Sequence, residues 1–442
     1  MTSRLSVAIL GTGMAGCGAI HRLSEEGLTP VAFDKAAYFG GHTASFAHKG
    51  GYTFDEGGHV SFTKNERLKE LFARNVDGQF ETVHAYINNY WRGHWIKHPP
   101  QCNLHGLPAD LVARIIGDFV EAQHAPPAEI RNYRDWLLST YGKTFAETFP
   151  IVYGRRYHTT TADNMTTDWL GPRMYRPSLH EVLMGALSVE TPDVHYVTEF
   201  RYPSYGGFAA YILPFAKHAE IRLEHQLVRL EPRERELTFG NGAVVAYEEL
   251  VSSIPLPALV PLIQGAPADV RAAAQRLACT TCVIVNVAVA RPDLSDAHIT
   301  YFYDEDMFFT RLNFPHLLSP HNVPAGVSAV QAECYYSKKY RPLDRAPEDC
   351  IAPVVADLRR CGLLREDDEI VFTNAHVNDY ANIIFDQEYP AALATVHGYL
   401  DEIGIGYCGR YGDWRHLWTD EAFESGEQAA QRALNHLGST VR

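Results

Sequence analysis

A glycine-rich turn near the start of the 442-residue chain constrains its fold more than any other feature. The apolar run at 5–10 is typical of a strand buried on both faces. The sequence Gly-Thr-Gly-Met-Ala-Gly at 11–16 follows directly, and 17–27 is predicted to form a helix that ends in glycine. A second predicted strand at 30–33 leads to Asp34, which lies 23 residues after the first glycine. This order of strand, glycine turn, helix, strand and acid predicts a Rossmann-like dinucleotide-binding unit.

Each glycine of the turn has a separate task in such a unit. Gly11 permits the tight turn, Gly13 lets the backbone approach a pyrophosphate, and Gly16 lets the helix pack closely on the strand. The unpaired N–H groups at the start of the helix then face the phosphates. We expect Asp34 to accept hydrogen bonds from a ribose hydroxyl.

Composition and charge exclude several classes of protein. The chain is 46% hydrophobic and 21% charged, which argues against a disordered or fibrous protein. A formal charge of −14 without long basic runs argues against general binding of nucleic acid, although a local basic site for a small anion remains allowed. Because no apolar stretch reaches about 18 residues, we expect no membrane span and a cytoplasmic protein. The sequence leaves the oligomeric state open.

Neither the cysteines nor the histidines predict a metal site. The eight cysteines are scattered, and the close pair Cys279 and Cys282 lacks a second pair of ligands nearby. His94 and His98 have a spacing that could place both rings on one helical face. They lack an adjacent glutamate, however, and Pro99 follows at once, which disfavours a helix there. We therefore predict no bound metal.

The hydrophobic pattern divides the chain into alternating regions. It predicts helices between 108 and 188, strands between 194 and 255, and an antiparallel sheet between 281 and 335. A glycine-rich turn and a helix at 421–434 close the chain. The predicted boundaries are 1–104, 193–255 and 389–442 for three pieces of one dinucleotide-binding domain, 105–192 for a helical domain, and 256–388 for an antiparallel sheet domain that carries the substrate site.

Four further motifs are Gly-Gly-His-Thr at 40–43, Phe-Asp-Glu-Gly-Gly-His-Val-Ser-Phe at 54–62, Gly-Arg-Tyr-Gly-Asp-Trp at 409–414 and Asp-Glu-Ala-Phe-Glu-Ser-Gly at 420–426. Together they resemble the FAD-binding signatures of the superfamily of amine oxidases, protoporphyrinogen oxidases and UDP-galactopyranose mutases. The similarity extends from residue 5 to residue 435. It implies an α/β fold in which a doubly wound, Rossmann-like FAD-binding domain is joined by a helical insertion and an antiparallel β-sheet domain. It also implies FAD rather than NAD as the cofactor.

With this resemblance, the cofactor-binding residues are predicted to be Gly11, Gly13, Ala15, Gly16, Asp34, Lys35, Gly41, His42, Thr43, Gly58, His59, Val228, Gly409, Arg410, Asp420 and Ala422.

Within the superfamily, several segments are most similar to UDP-galactopyranose mutases. The 57–62 loop resembles a mobile histidine loop, which places His59 near N5 of the flavin. The segments at 95–103, 169–173 and 301–311 resemble those that hold the nucleotide base and the diphosphate. The resemblance implies catalytic roles for His59, Arg173 and Arg311, and substrate-binding roles for Gln101, Trp169 and Tyr301. Without it, each arginine would more simply be assigned to a structural salt bridge.

The implied reaction is the interconversion of the pyranose and furanose forms of a UDP-sugar through a sugar adduct at N5 of the reduced flavin. His59 would relay a proton or adjust the flavin, or would only close its loop. Two alternatives stay open. One is an FAD-dependent oxidoreductase that takes hydride from an amine or a saturated carbon, and the other is a flavoprotein that binds its ligand without turnover.

Three positions depart from the mutase pattern. Leu318 and His416 stand where the resemblance predicts tyrosines, and Val197 stands where it predicts asparagine. The pattern of the FAD site is therefore complete, whereas that of the substrate pocket is only partial. The substrate could be another nucleotide sugar or a molecule of a different kind.

Overall fold

The computed structural model describes residues 4–126, 129–171 and 174–440. Its strands are β1 (Leu5–Leu10), β2 (Val31–Phe33), β3 (Ser45–His48), β4 (Tyr52–Asp55), β5 (Phe80–His84), β6 (Ile87–Trp91), β7 (His94–Lys97), β8 (Glu199–Pro203), β9 (Glu220–Arg222), β10 (Leu227–Glu231), β11 (Glu236–Phe239), β12 (Val244–Ser252), β13 (Ala278–Val289), β14 (Ile299–Phe302), β15 (Arg311–Asn313), β16 (Ser328–Ser337), β17 (Ile370–Asn378), β18 (Ile383–Ile384) and β19 (Gly406–Tyr407).

The α-helices are α1 (Met14–Glu25), α2 (Glu66–Asn75), α3 (Ala109–His124), α4 (Tyr133–Tyr141), α5 (Lys143–Thr148), α6 (Pro150–Tyr157), α7 (Leu179–Leu187), α8 (Leu256–Leu259), α9 (Ala268–Arg276), α10 (Pro315–Leu318), α11 (Ile351–Arg360), α12 (Tyr389–Glu402), α13 (Gly409–Gly412) and α14 (Thr419–Thr440).

A seven-stranded sheet, here called the dinucleotide sheet, contains the predicted Rossmann-like unit. Its order is β10-β11-β12-β1-β2-β9, with β19 paired to β12. Strand β1 lies in the middle, parallel to both β12 and β2. Val7 and Ile9 on β1 face one hydrophobic core, and Ala8 and Leu10 face a second core on the opposite side. Both faces of the sheet are therefore covered, as in a doubly wound fold.

An eight-stranded sheet, here called the large sheet, provides the predicted antiparallel part. Its order is β17-β13-β16-β15-β14-β6-β7, with β18 paired to β13. Strand β13 pairs antiparallel with both β16 and β17. Because side chains alternate along a strand, Val283 and Val285 enter a hydrophobic core on one face, whereas Cys282 and Ile284 line a cavity on the other.

Helices α3 to α7 form a further layer with its own core, which includes Ile96 of β7. Two-stranded ribbons, β3–β4 and β5–β8, complete the sheets. The predicted α/β fold class, with a doubly wound domain, a helical insertion and an antiparallel sheet, is confirmed. None of the helices in the described ranges has the length and apolar character needed to cross a lipid bilayer.

The division into five sequence segments stays a prediction. The strand pairing bears on the first predicted segment, 1–104. Residues 87–97 fall within that segment, yet they form β6 and β7, and β6 pairs with β14 of the large sheet. Parallel pairing of β6 with β14 joins two distant parts of the chain, and local sequence pattern carries no signal of such long-range pairing.

Candidate functional site

A cavity of about 960 Å³ lies where the dinucleotide sheet meets the large sheet. One end is lined by the glycine turn after β1 and by the start of β10. The other end is lined by residues of α6, β14, β15 and β16. The cavity therefore extends from the carboxyl edge of a parallel sheet, where such folds bind dinucleotides, to a wall formed by α6 and the large sheet.

The glycine turn has the conformation that its sequence predicts. Gly11 has φ +96°, and a Cβ there would lie 2.2 Å from Oγ of Ser253. A Cβ on Gly16 would lie 2.1 Å from the carbonyl oxygen of Gly11, so α1 packs directly on the turn. Gly13 precedes α1 in an extended conformation and has no side-chain cap. The first N–H groups of α1 are thus free of side-chain capping at the cavity.

Asp34 supports the turn as well as facing the cavity. Its Oδ2 accepts hydrogen bonds from the backbone N–H of Thr12 at 2.8 Å and from the Thr12 hydroxyl at 2.7 Å. Its Oδ1 accepts from the N–H of Ala36 at 2.9 Å. A carboxylate has about four acceptor positions, so capacity for a ribose hydroxyl remains. Lys35 lines the cavity beside it.

Most of the predicted cofactor residues lie on the cavity wall. They are Gly11, Gly13, Ala15, Asp34, Lys35, Gly41, His42, Thr43, Gly58, His59, Gly409, Arg410 and Ala422.

Three of the predicted cofactor residues are not on the wall. Gly16 lies behind the turn, where its role is packing. Val228 is 44% exposed, because its neighbour Leu227 takes the inward position on β10 and side chains alternate. Asp420 lies in the first turn of α14, where Thr419 and Ala422 line the cavity instead.

These residues suit a dinucleotide cofactor. The turn leaves room for a pyrophosphate at the uncapped start of α1, and Asp34 with Lys35 can hold the adenosine end. The remaining length of the cavity leads toward His59 and Arg410, where a flavin ring would be held.

The loop that carries His59 is anchored by a buried carboxylate. Asp55, 3% exposed, accepts hydrogen bonds from the Ser45 hydroxyl at 2.6 Å, the Tyr202 hydroxyl at 2.8 Å and the backbone N–H of Phe208 at 3.0 Å. Burial raises the pKa of Asp55 to about 6, although the three hydrogen bonds oppose the shift. The anchor fixes the position from which the loop enters the cavity.

His59 is held as a neutral imidazole. Its Nδ1 lies 2.7 Å from the carbonyl oxygen of Gly57, and because a carbonyl only accepts, Nδ1 carries the hydrogen. Burial lowers the pKa of His59 to about 4. Near neutral pH its Nε2 is therefore a hydrogen-bond acceptor. The preceding residue, Gly58, approaches the large sheet so closely that a Cβ would lie 2.6 Å from the Asn313 side chain.

Arg311 lines the cavity, but it is already paired. Its Nε and Nη2 donate to the two carboxylate oxygens of Glu333 at 2.7 and 2.8 Å. Glu333 also accepts from the side-chain amide of Asn313 at 2.8 Å and from the Tyr335 hydroxyl at 2.5 Å. Burial alone would lower the pKa of Arg311, but Glu333 and neighbouring tyrosines hold it well above its ordinary value. The guanidinium keeps its charge, and the carboxylate compensates it.

Glu333 and Asn313 are functional candidates that the sequence motifs missed. Glu333 lies directly opposite Arg311 in the antiparallel pairing of β15 with β16. Glu333 is an acidic residue in the middle of β16, a strand whose residues are all buried. A buried carboxylate needs a partner, and that requirement alone would have directed attention to the site.

The predicted substrate residues reach the same cavity. Tyr301 stacks on His98 with ring centroids 4.8 Å apart. Gln101 donates from Nε2 to the carbonyl oxygen of Tyr175 at 3.2 Å. Trp169 donates from Nε1 to the carbonyl oxygen of Thr166 at 2.8 Å. The cavity thus brings together His59, Arg311, Gln101, Trp169 and Tyr301, whereas Arg173 lies outside the described residues.

The three positions that depart from the mutase pattern also line the cavity. Val197 and Leu318 are buried apolar side chains, and His416 is half-buried. Where the resemblance predicts an amide and a phenol, the wall is therefore apolar. No group of three or more potential metal ligands occurs in the described ranges.

Comparison with known proteins defines the class to which this fold belongs. Residues 9–74 match the family model of the NAD(P)-binding Rossmann-like domain. A protein from Exiguobacterium sp. 255-15 described as a candidate protoporphyrinogen oxidase matches with a TM-score of 0.75 at 14% identity, over 98% of this chain and 100% of that chain. A double mutant of putrescine oxidase matches with a TM-score of 0.64 at 14% identity, over 98% and 100%.

The chain is also similar to reduced UDP-galactopyranose mutase, with a TM-score of 0.92 at 22% identity, over 98% of this chain and 94% of that chain. The resemblance predicted from the sequence motifs is confirmed by these matches. At 22% identity or less, what they establish is a shared fold.

Proposed function

We propose that the protein is an FAD-dependent enzyme that interconverts the pyranose and furanose forms of a UDP-sugar. One observation carries the proposal: a single continuous cavity joins the glycine turn and Asp34 to Gln101, Trp169, Tyr301 and Arg311. A dinucleotide at one end and a nucleotide sugar at the other would therefore meet inside the protein. The likeness in fold to reduced UDP-galactopyranose mutase supports the same assignment.

The bound flavin, in its reduced form, would supply a nucleophilic nitrogen for the anomeric carbon. The protein residues would orient the substrate and exclude water. Arg311 would donate its remaining guanidinium N–H groups to a phosphate oxygen, with the Tyr301 hydroxyl beside it. Neutral His59 would accept a hydrogen bond at Nε2. Arg410 would add the second positive charge on the wall near His59.

The alternative is an FAD-dependent oxidoreductase that takes hydride from an amine or a saturated carbon. A specific observation favours it: Glu333 compensates the charge of Arg311, and Val197 and Leu318 make the nearby wall apolar. A diphosphate gains less electrostatic binding energy from an arginine whose charge is already compensated than from an unpaired arginine. Neutral substrates would enter such a pocket at lower cost.

An anaerobic assay separates these functions. The purified protein is reduced with dithionite, mixed with a panel of UDP-sugars, and the products are resolved by chromatography while the flavin spectrum is followed. A new ring isomer with unchanged flavin oxidation state, and without oxygen consumption, is the expected result. Flavin bleaching by an amine or a saturated ring compound, followed by reoxidation in air, would instead establish the oxidoreductase. Ligand-induced thermal stabilisation without either reaction would indicate a binding protein.

A further inference from the structure

Two histidines without a predicted role in substrate binding, His98 and His195, line the cavity near Tyr301. The ring of His98 stacks on Tyr301 at 4.8 Å with an interplanar angle of 25°. The ring of His195 meets His98 edge-on at 4.8 Å and 79°. His98 follows β7 and His195 precedes β8, so two distant segments of the chain bring the imidazoles together.

The orientation of His98 is fixed by a buried amide. Its Nδ1 lies 2.9 Å from Oδ1 of Asn89, which is fully buried. The Asn89 amide nitrogen donates to the carbonyl oxygen of Lys97 at 3.0 Å, which identifies Oδ1 as the acceptor for His98. His98 therefore carries its hydrogen on Nδ1, and Nε2 has the lone pair. His195 is positioned by the backbone of Val197, 3.2 Å from its Nδ1.

The charged groups around this pair are bound to one another. Lys97, next to His98 in sequence, pairs with Asp193 at 2.8 Å, and His84 contacts the same carboxylate at 3.1 Å. Beyond Tyr301, Arg311 is paired with Glu333. His298, on the same wall, is bonded to the backbone of Tyr86 at 3.0 Å.

Within the described part of the chain, no carboxylate lies within 4.0 Å of a ring nitrogen of either His98 or His195. Burial lowers the pKa of both imidazoles, and the neighbouring His195 lowers the pKa of His98 further. The pair is therefore neutral in the free protein. An anionic ligand in the cavity would favour protonation of one of these imidazoles, because a negative group within a few ångströms stabilises the protonated, positively charged form.

We propose that His98 and His195 are specificity-determining residues for an anionic substrate, and that a nucleoside diphosphate group enters the cavity together with one proton. The proton comes from solvent and is held on one of the two imidazoles, facing the phosphate oxygens. The protonated pair would supply a positive charge for the diphosphate, because the charge of Arg311 is already compensated by Glu333. The inference rests on the proposed function, since it assumes a diphosphate-bearing substrate.

Calorimetry measures the proton directly. The oxidised holoenzyme, which is not expected to turn over, is titrated with UDP-galactose in two buffers of different ionisation enthalpy near pH 7.5. The diphosphate of this ligand has no group that titrates near neutrality, so a buffer-dependent heat reports a proton taken up by the protein. We expect uptake of about one proton per ligand bound, and an affinity that falls about tenfold per pH unit as the pH rises through this range.

The double variant His98→Gln/His195→Gln tests which groups take up the proton. It should retain its flavin, lose the proton uptake, and bind UDP-galactose at least about tenfold more weakly, the loss expected for a charge-assisted hydrogen bond. The control is His94→Gln, on β7 but outside the cavity, where Nδ1 contacts the carbonyl oxygen of Gly106 at 2.9 Å. That variant should keep both the uptake and the affinity.

Different experimental outcomes would contradict the histidine proposal and the proposed function. If wild-type protein binds UDP-galactose with the same heat in both buffers, the histidine proposal is overturned and the proposed function stands. Uptake that persists in the double variant overturns the histidine proposal as well. If neither oxidised nor reduced holoenzyme binds any UDP-sugar, the proposed function fails, and the histidine proposal fails with it. The wild-type measurement decides the matter even if the double variant does not fold.

Discussion

At the scale of single residues, Arg311 combines two tasks that are usually separate. It lines the cavity, and it forms a two-pronged ion pair with Glu333, whose side chain is 3% exposed. A buried ion pair adds little net stability, yet removal of one partner leaves an uncompensated charge. Loss of activity after mutation of Arg311 is therefore informative only if stability is measured in parallel.

We predict that Arg311→Ala lowers the free energy of unfolding by about 3 kcal/mol or more, because Glu333 then stays buried without its cation. Urea unfolding of the holoenzyme measures the change. Arg229→Ala is the control, since Arg229 is 55% exposed and its pair with Glu231 should contribute within about 0.5 kcal/mol. If Arg311→Ala is as stable as the control but inactive, the ion pair with Glu333 contributes nothing to folding and the arginine acts on substrate alone.

His158 gives a pH-dependent prediction. It is 5% exposed, and burial lowers its pKa to about 3. Since the unfolded chain binds a proton near pH 6.5 and the folded chain does not, the stabilisation is complete above pH 6.5 and is lost as the pH falls. The loss should reach about 2 to 3 kcal/mol between pH 6.5 and 4.5.

The variant His158→Phe should remove this loss. It should be about as stable as the wild type near pH 7, because Nδ1 of His158 has no hydrogen-bond partner among the described residues. Asp55, with its pKa raised to about 6, acts in the opposite sense, so only the difference between variant and wild type isolates His158. The readout is urea unfolding at several pH values, with the exposed His124→Gln as control. Equal acid sensitivity in His158→Phe and wild type would contradict the prediction.

At the scale of elements, α6 is tied to the hairpin of β14 and β15 by one side chain. Arg156, 7% exposed, donates to four backbone carbonyl oxygens, those of Phe302, Asp304, Met307 and Phe309. The loop that it holds connects Tyr301 with Arg311. The same helix carries Tyr153, whose ring contacts Tyr301 at 5.5 Å. Arg156 therefore positions one wall of the cavity without facing it.

We predict that Arg156→Met destabilises the protein by at least about 3 kcal/mol, since several buried carbonyl groups lose their donor. In protein that still folds, the KM for the substrate should rise while the flavin spectrum stays unchanged, and Arg156→Lys should recover part of the loss. Its neighbour provides a matched control. Arg155 is 50% exposed and pairs with Glu305, so Arg155→Met should change stability by no more than about 0.5 kcal/mol. Equal effects of the two substitutions would refute the positioning role.

The elements also show how far the sequence can predict the structure. The glycine turn and Asp34 lie within one short segment, and their hydrogen bonds follow its local pattern. The helices predicted between 108 and 188 include α7, whose apolar residues recur at helical spacing. Pairings between distant segments were not predictable in this way. Glu333 contacts Arg311 because β15 and β16 pair in that register. His98 and His195 are far apart in sequence, and no local pattern around either residue predicts that their rings are in contact.

At the scale of the whole molecule, the cavity is shared by the two large sheets. Residues of the dinucleotide sheet and of the large sheet both line it, so a bound cofactor would contact both. A ligand that binds only the folded state stabilises it by mass action. We therefore expect cofactor binding to raise the unfolding temperature of both sheets together, in a single transition.

The identity of the cofactor can be tested by the same measurement. FAD should raise the thermal midpoint of flavin-depleted protein, with a stabilisation of about 2.7 kcal/mol at a concentration of one hundred times its Kd. FMN, which lacks the adenosine end that Asp34 and Lys35 would hold, should stabilise less, because it leaves that part of the cavity unfilled. NAD should also stabilise less than FAD at the same concentration, since the wall formed by Gly58, His59 and Arg410 would then have no flavin ring to contact. Stabilisation by NAD but not by FAD would show that the glycine turn binds a nicotinamide dinucleotide, and the proposed flavin chemistry would then fail at its first step.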